Sequence, residues 1–247
     1  MTSKAQYLFG IHPVSALLNK NPERITHLYI LKDKHDQKIL ALIELAKTLS
    51  IKTSLVNRDE LNRLSDNGNH QGIAALCEPI QSYSEHDLEK ILENLNEKPF
   101  LLILDCVQDP HNLGACLRSA DAAGVHAVIT PKDKSVGITP TVSKVASGAA
   151  ENIPFIQVTN LARTMRLLRD NNIWLFGAAD DAPKTIYQAN FTLPHAIVLG
   201  AEGEGMRRLT REHCDDVFNI PMHGSVSSLN VSVATGVFLF EAVRQRQ

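Results

Sequence analysis

Three polar segments with turn residues follow short apolar runs in the C-terminal part of the chain. They are residues 105–114, 199–205 and 220–230, called the first, second and third loops below. The apolar runs are typical of buried strands, and open α/β sheets bind ligands in loops that leave the carboxyl ends of parallel strands. Because the three loops together carry Asn, Arg, Glu and Ser, the sequence predicts one composite site and favours an enzyme.

The whole chain alternates short strand patterns with amphipathic helix patterns, which predicts an α/β fold. The continuous apolar run at residues 100–104 is typical of a strand that is buried on both faces of a parallel sheet. We predict a small α/β domain at residues 1–77 and a partly helical, exposed linker at 78–98. A second α/β domain with a mostly parallel sheet is predicted at 99–247.

The first loop contains turn-forming residues around Pro110. A helix is predicted at residues 114–123, with Asn112 as a candidate N-cap. Arg118 would then lie in the first turns of this helix between small residues, where its guanidinium has room to approach a phosphate or a developing oxyanion. The alternative is a strand–turn–helix connection with no further role.

The second loop has the spacing Gly-x-x-Gly-x-Gly and carries Glu202 and Glu204. A dinucleotide pyrophosphate needs bare amide groups at such a loop, and two carboxylates would repel it. The loop therefore disfavours a nicotinamide or flavin and suits a neutral or cationic ligand. A flexible connection between strand and helix is the alternative.

The third loop ends in Ser227-Ser228-Leu229-Asn230, directly before the last predicted helix. Ser or Asn at a helix start is ordinarily an N-cap, and capping explains this segment best when it is taken alone. Capping does not need all three polar residues, so Ser228 and Asn230 are also candidates to present polar groups to a ligand.

Composition narrows the class of protein. Hydrophobic residues make up 44% and charged residues 21%, which is ordinary for a globular protein. No apolar run reaches the length of about 18 residues expected of a membrane span, and the start lacks a secretory signal pattern, so we expect a cytoplasmic protein. The four cysteines form no Cys-x-x-Cys pair and the histidines form no ligand cluster, so no metal site is predicted.

The net charge of −2 argues against a strongly basic coat for nucleic acid. Residues 1–76 nevertheless hold ten Lys or Arg against seven Asp or Glu, which fits a local phosphate-contacting face. Candidate contacts include Lys4, Arg24, Lys32 and Lys34.

Taken together, the three loops resemble the SpoU family, the 2′-O-ribose RNA methyltransferases of the SPOUT class. The resemblance extends from residue 99 to about 243 and rests on the order and spacing of residues 109–120, 200–205 and 220–232. Residues 10–14 and 70–74 resemble the small ribosomal-protein-like (L30e/L7Ae-like) α/β RNA-binding domain that precedes the catalytic domain in this family.

The resemblance implies a trefoil knot in the catalytic domain, S-adenosylmethionine as cofactor, and a homodimer with its site near the subunit interface. Residues that would line the cofactor pocket, largely through backbone groups, are Gly200, Ile220, Leu229 and Met222. Residues that would form the catalytic polar set are Asn112, Arg118, Glu202, Ser228 and Asn230.

Full-length similarity to family members that methylate a guanosine 2′-hydroxyl in the peptidyl-transferase region of 23S rRNA implies that activity here. The substrate would be 23S rRNA or a pre-ribosomal particle. A tRNA 2′-O-methyltransferase is one alternative, which the additional N-terminal domain disfavours. A non-catalytic RNA-binding factor for ribosome assembly is another, which the intact polar set disfavours.

Two roles for Arg118 stay open at this point. The family proposal makes the arginine the base, although a guanidinium is effectively always protonated. Alternatively, Arg118 holds the target phosphate and stabilises the forming alkoxide.

Overall fold

The computed structural model describes residues 5–32, 36–80 and 83–247. Contacts divide the chain into two compact units. The first unit contains Met1–Gln81 with Ile138–Asn152, and the second contains Ser82–Gly137 with Ile153–Gln247. Within the described ranges, no helix is both long and apolar enough to cross a membrane.

A four-stranded mixed sheet forms the centre of the first unit. Its strands are β1 (Gln6–Phe9), β2 (Ile25–Leu31), β3 (Thr53–Val56) and β4 (Ile73–Cys77). The spatial order is β1-β4-β2-β3; β2 and β3 are parallel, and β4 runs antiparallel to β1 and β2. Lys4 and Lys34, two candidate RNA contacts, lie outside the described residues.

Three helices cover the faces of this sheet: α1 (Ile11–Lys20), α2 (Gln37–Thr48) and α3 (Arg58–Leu64). Side chains alternate between the faces of β2, as expected for a strand with two covered faces. Leu28 and Ile30 pack with α1 and α2, whereas Tyr29 and Leu31 pack towards Leu61 of α3.

The second unit is built on a seven-stranded parallel sheet. Its strands are β5 (Phe100–Asp105), β6 (Ala127–Pro131), β7 (Phe155–Val158), β8 (Trp174–Ala178), β9 (Lys184–Thr185), β10 (His195–Gly200) and β11 (Asp216–Asn219). The spatial order is β7-β6-β5-β10-β8-β11-β9, and every paired neighbour is parallel. The predicted α/β class with a mostly parallel sheet is confirmed, while the knot stays a prediction.

The chain proceeds outward from β5 to one edge of this sheet and then returns to build the other side. The boundary between the two halves lies between β5 and β10, whose register puts Gly200 beside Asp105. Such a switch point is where open α/β sheets form a ligand crevice at the carboxyl ends of their strands. The first and second loops therefore leave neighbouring strands at the same edge.

Helices complete the layers. The helices after α3 are α4 (Glu85–Glu93), α5 (Pro110–Ala123), α6 (Pro140–Val145), α7 (Ala149–Asn152), α8 (Leu161–Asp170), α9 (Arg208–Glu212) and α10 (Val231–Arg246). Of these, α6 and α7 belong to the first unit by their packing. In the second unit, α5 and α10 pack together, and Cys116 Sγ lies 3.3 Å from Thr235 Oγ1.

The predicted start of α5 was wrong by about one turn. Asp109 is the N-cap, since its carboxylate accepts the backbone N–H of His111 at 2.9 Å, and Pro110 occupies the first turn. Asn112 therefore lies inside the helix and its side chain is not the cap. Because the helix begins earlier, Arg118 lies in the third turn rather than in the first turns.

Two other element predictions also need correction. The exposed character predicted for residues 78–98 is wrong at α4, because Leu88 is fully buried in the core of the second unit. The sequence of residues 206–215 also predicts a helix along its whole length, whereas only α9, Arg208–Glu212, forms there. The limits predicted for the two domains and the linker, residues 1–77, 99–247 and 78–98, stay predictions.

His195, at the start of β10, is fully buried among aromatic rings. Its ring centroid lies 4.9 Å from that of Phe100 and 5.2 Å from that of Phe191. Nδ1 lies 2.8 Å from the carbonyl oxygen of Leu193, while Nε2 has no partner among the described residues. Burial lowers the pKa of His195 to about 4, so the ring is neutral near pH 7.

Replacing His195 by Phe should make the stability of the protein less sensitive to acid. An unfolded histidine titrates near pH 6.5, whereas the folded one titrates near 4, so the unfolded state binds more protons between these values. The contribution of the neutral His195 ring to the free energy of unfolding is therefore fully present above about pH 6.5. It decreases as the pH falls, by about 2 kcal/mol between pH 7 and 5. Urea unfolding of His195→Phe at both pH values should show a correspondingly smaller change.

The control is His223→Gln, which removes an exposed histidine and should leave the pH dependence as in the wild type. An unchanged pH dependence in His195→Phe would contradict the assignment.

Candidate active site

One side chain from each of the three loops meets at the carboxyl edge of the parallel sheet. Asn230 Nδ2 donates to Asn112 Oδ1 at 3.0 Å and to Glu202 Oε2 at 3.2 Å. Asn112 Nδ2 donates to the same Glu202 oxygen at 3.3 Å. We call these three residues the Asn112–Glu202–Asn230 network. It joins residues that are 28, 90 and 118 positions apart along the chain.

The orientation of the Asn230 amide follows from its position at the start of α10. Its Oδ1 accepts the backbone N–H of Ser232 at 2.9 Å and the hydroxyl of the same residue at 2.6 Å, as an N-cap does. With Oδ1 occupied in this way, Nδ2 is directed to Glu202 and Asn112. Capping and a role in the site are therefore compatible in Asn230.

A cavity of about 370 Å³ lies beside Glu202, within the range of about 300 to 1,000 Å³ that small-molecule pockets occupy. All four predicted cofactor-binding residues line it, together with the predicted catalytic residues Glu202 and Ser228: Gly200, Ile220, Met222, Leu229, Glu202 and Ser228. Apolar walls come from Leu199, Met206, Phe218, Val231 and Phe238. The cavity thus combines apolar walls with the backbone of the second and third loops.

The charged residues that line the cavity are mainly acidic. Asp180, Asp181, Glu202 and Glu204 stand against Arg211, whose guanidinium pairs with Asp181 at 2.7 Å. The hydrogen bond from Arg211 holds the pKa of Asp181 below its ordinary value, so this carboxylate is charged at neutral pH. The local charge favours a cationic ligand, as the acidic second loop predicted.

The second loop folds back on itself at Gly200. Ala201 and Gly205 exchange backbone hydrogen bonds of 3.1 and 2.9 Å. A Cβ on Gly200 would lie 1.9 Å from the carbonyl carbon of Gly205, so no side chain fits there. Gly203 and Gly205 have φ of +81° and +67°, which L-residues adopt only with strain. The glycine spacing therefore serves the tight fold of the loop.

An ion pair between a buried carboxylate and a half-exposed guanidinium, which the sequence did not predict, holds the exit of this loop. Asp105 ends β5 with no exposure to solvent, and Arg207 follows directly after the loop. The Arg207 backbone N–H donates to Asp105 Oδ2 at 2.9 Å, and Nε donates to Oδ1 at 2.8 Å. Burial works to lower the pKa of Arg207, but Asp105 outweighs it and the net shift is upward. A signal in the sequence that could have indicated this pair is Asp105 itself, an acidic residue at the end of an otherwise apolar strand.

The structure does not bring Arg118 into the network of its own chain. Arg118 lies six positions after Asn112 in α5. This spacing corresponds to about 9 Å along the helix axis and puts the two side chains on different faces of the helix. Arg118 is exposed, and no hydrogen bond or ion pair holds it within the described part of the chain. Its predicted catalytic role stays a prediction.

Comparison with known proteins shows the family of this chain. The model of the SpoU rRNA methylase family matches residues 99–240, and a model for RNA 2′-O ribose methyltransferase substrate binding matches residues 7–83. The chain belongs to the SpoU rRNA methylase family. The family resemblance drawn from the three loops is therefore confirmed.

Curated relatives match over nearly the full length. The 23S rRNA (guanosine-2′-O-)-methyltransferase RlmB of Escherichia coli (strain K12) is 57% identical over 242 residues, which cover 98% of this chain and 99% of that protein. RlmB of Photorhabdus laumondii is 56% identical with the same coverage.

Solved structures show the same fold. The SpoU methyltransferase AviRb from Streptomyces viridochromogenes, in complex with the cofactor AdoMet, has a TM-score of 0.80 at 25% identity. The match covers 97% of this chain and 90% of AviRb. The A. aeolicus TrmH/SpoU tRNA modifying enzyme matches 66% of this chain with a TM-score of 0.57 at 28% identity, covering 83% of that enzyme.

Removing the guanidinium of Arg207 should destabilise the protein. Arg207→Ala leaves the buried Asp105 carboxylate without its charged partner, although the backbone N–H of residue 207 still donates to it. Because the Arg207 side chain is 43% exposed and its charge is partly screened, we expect a cost of about 1 to 2 kcal/mol in the free energy of unfolding. Arg208→Ala is the matched control, because its side chain is 91% exposed and pairs with Glu212 only at the surface. Urea unfolding measures the free energy of unfolding of both variants. Equal small decreases in the two would contradict a stabilising role for the Asp105–Arg207 pair.

Proposed function

We propose that this protein transfers the methyl group of S-adenosylmethionine to the ribose 2′-hydroxyl of a guanosine in 23S rRNA. The observation that carries the proposal is the Asn112–Glu202–Asn230 network beside a cavity with an acidic lining. The identity of 57% to RlmB over nearly the full length supports the same reaction and substrate. Action on ribosomal RNA implies a cytoplasmic protein.

The cavity fits S-adenosylmethionine by the chemistry of its lining. The apolar side chains suit an adenine ring, and the backbone of Gly200, Ile220 and Leu229 offers donors and acceptors for its edge. The four acidic residues suit the sulfonium and ammonium charges of this molecule, which supplies an electrophilic methyl group. The AdoMet complex of AviRb supports this assignment.

The polar residues then have to position the attacking hydroxyl and stabilise its developing charge. Glu202 uses Oε2 to accept both asparagine amides, which leaves Oε1 to accept a hydrogen bond from the substrate. Ser228, exposed at the cavity, presents a hydroxyl to the same region. A guanidinium is a poor base because it is protonated at all accessible pH, so we assign Arg118 to the substrate phosphate and the forming alkoxide.

The direct test is transfer of radiolabelled methyl from S-adenosylmethionine to 23S rRNA, with total tRNA in parallel and ribose-methylation mapping of the product. We expect label on the 2′-oxygen of one guanosine of 23S rRNA. A pre-ribosomal particle is the second substrate to assay, because assembly can present the target nucleotide differently. Label on tRNA alone would contradict the rRNA assignment, and absence of both cofactor binding and methyl transfer would favour an RNA-binding assembly factor.

We further propose that the protein acts as a homodimer in which Arg118 serves the site of the partner subunit. Two observations support this. Arg118 lies on a face of α5 turned away from the network of its own chain. On the neighbouring helix α10, Val233 and Phe240 stand one above the other and are 52% and 51% exposed, which suits an interface with a second copy. A twofold pairing of this face would be self-complementary.

Mixed dimers distinguish action across the interface from action within one chain. Arg118→Ala and Glu202→Gln should each abolish methyl transfer alone. Co-expressed with different affinity tags and purified as mixed dimers, they should regain activity, because one site combines an intact Glu202 with an intact Arg118 from the partner. One of the two sites in each purified mixed dimer is intact, so we expect about half of the wild-type activity per subunit, and about one quarter in an unfractionated mixture formed by random pairing.

No activity in purified mixed dimers would contradict the assignment across the interface. Mixed dimers of two Arg118→Ala chains carrying the two tags are the matched control and should be inactive.

A further inference from the structure

A second cavity, of about 520 Å³, lies in the first unit, where α3 meets the loop before β4. Its lining is mostly polar, and among the described residues it holds one cation and no carboxylate: Leu31, Arg58, Asn62, Asn67, Gly68, Asn69, His70, Gln71 and Gly72. We call it the α3 pocket. It lies within the segment matched by the substrate-binding model, residues 7–83. Residues 70–72 belong to the stretch that resembles the RNA-binding domain, and none of the lining residues takes part in the proposed catalytic site.

Hydrogen bonds fix which way the Asn62 amide points. The backbone N–H of Gly72 donates to His70 Nδ1 at 2.9 Å, so this nitrogen carries no proton in the neutral ring. The proton is then on Nε2, which lies 3.2 Å from Asn62 Oδ1 and donates to it. The Asn62 oxygen is thereby occupied, and its NH₂ group, a pure donor, is left to the pocket.

The loop that forms the pocket wall is held in one conformation. Asn67 N–H donates to the Asn62 carbonyl at 2.7 Å, and Gly68 N–H donates to the Ser65 carbonyl at 2.9 Å. A Cβ on Gly68 would lie 2.6 Å from the ring of Phe9, so the loop approaches β1 as closely as a glycine permits. Donors on such a loop are preorganised for a ligand, which reduces the entropy lost on binding.

The remaining polar groups of the pocket are also donors or exposed amides. Arg58 is exposed at the start of α3, and within the described ranges it makes no ion pair or hydrogen bond. The side chains of Asn67 and Asn69 are exposed as well. A guanidinium beside oriented amide donors matches a phosphate group in charge and in hydrogen bonding.

We propose that the α3 pocket binds a backbone phosphodiester of the RNA substrate, through the guanidinium of Arg58 and the amide of Asn62. This inference rests on the proposed RNA substrate. A phosphate is favoured over a base because the described part of the lining offers no Phe, Tyr or Trp ring for stacking, and stacking dominates the recognition of unpaired bases. The contact anchors the RNA in the first unit, whereas methyl transfer takes place in the second.

The test uses the full-length protein and an in vitro transcript of the peptidyl-transferase region of 23S rRNA. Arg58→Ala removes the cation, and Arg63→Ala on the same helix is its control, since Arg63 does not line the pocket. Asn62→Asp is nearly isosteric and keeps the oxygen that accepts from His70, but it replaces the donor by a negative charge. Its control is Gln37→Glu, which makes the same charge change at the exposed start of α2.

We expect Arg58→Ala to raise the Kd for the transcript about tenfold. The slope of log K against log salt should become shallower by about 0.7 to 0.9, the value of one phosphate contact. Asn62→Asp should weaken binding at least as much, and both control variants should bind like the wild type. The unfolding midpoints and the Kd for S-adenosylmethionine should be unchanged in all four variants.

Wild-type affinity in Arg58→Ala and Asn62→Asp would overturn the proposal, and so would a loss of affinity with an unchanged salt slope, which indicates a base contact. These outcomes are separable from failure of the proposed function, in which the wild-type protein itself neither binds S-adenosylmethionine nor methylates the RNA.

Discussion

The ion pair between the buried carboxylate of Asp105 and the half-exposed guanidinium of Arg207 fixes the geometry on which the candidate active site depends. Asp105 is the last residue of β5 and has no contact with solvent, so its charge requires a partner inside the protein. Arg207 supplies that partner with its backbone N–H and its guanidinium together. The exit of the second loop is thereby attached to the end of the neighbouring strand, and its entry at Gly200 already pairs with β5 in the sheet.

With both ends held, the second loop has little freedom. Its backbone closes on itself between Ala201 and Gly205, and this fold leaves the side chain of Glu202 at the rim. The two asparagines of the other loops can then meet one carboxylate oxygen. Asn230 reaches it because its own oxygen is committed to capping α10. The cap of α10, the glycine turn of the second loop and the Asp105–Arg207 ion pair each stabilise the local fold. Together they produce a polar site at the switch point of the sheet.

Much of this arrangement could be predicted from the sequence, and the failures have identifiable causes. The alternation of strand and helix patterns and the apolar run of β5 are local signals that predicted a mostly parallel sheet, and the polar loops after apolar runs predicted one composite site at its edge. The position of Asn112 in α5 was wrong because Asp109 and Asn112 are both good caps, and only the structure shows which one is used. The partner of Asp105 is 102 residues away, a distance over which no local pattern predicts pairing.

Arg118 shows a further limit of prediction from one chain. Its residue type and its place in the family motif predict catalysis, yet helical geometry directs it away from the network that the same chain builds. In the proposed homodimer Arg118 serves the partner subunit, and proximity within a single chain cannot predict such a contact. The polar α3 pocket was missed for another reason: its donors come from α3 and the loop before β4, and asparagines in a loop are ordinarily interpreted as turn residues.

We propose that the three loops act as one unit through the Asn112–Glu202–Asn230 network. A double-mutant cycle on kcat/KM for methyl transfer tests this, with Asn112→Ala, Glu202→Asp and the double variant, because Glu202→Asp keeps the carboxylate and withdraws it from the two asparagines. If the network acts as a unit, the double variant should be scarcely worse than the more damaged single variant. Additive losses, with the double variant impaired by the product of the two single effects, would show that the residues act independently and would contradict the account.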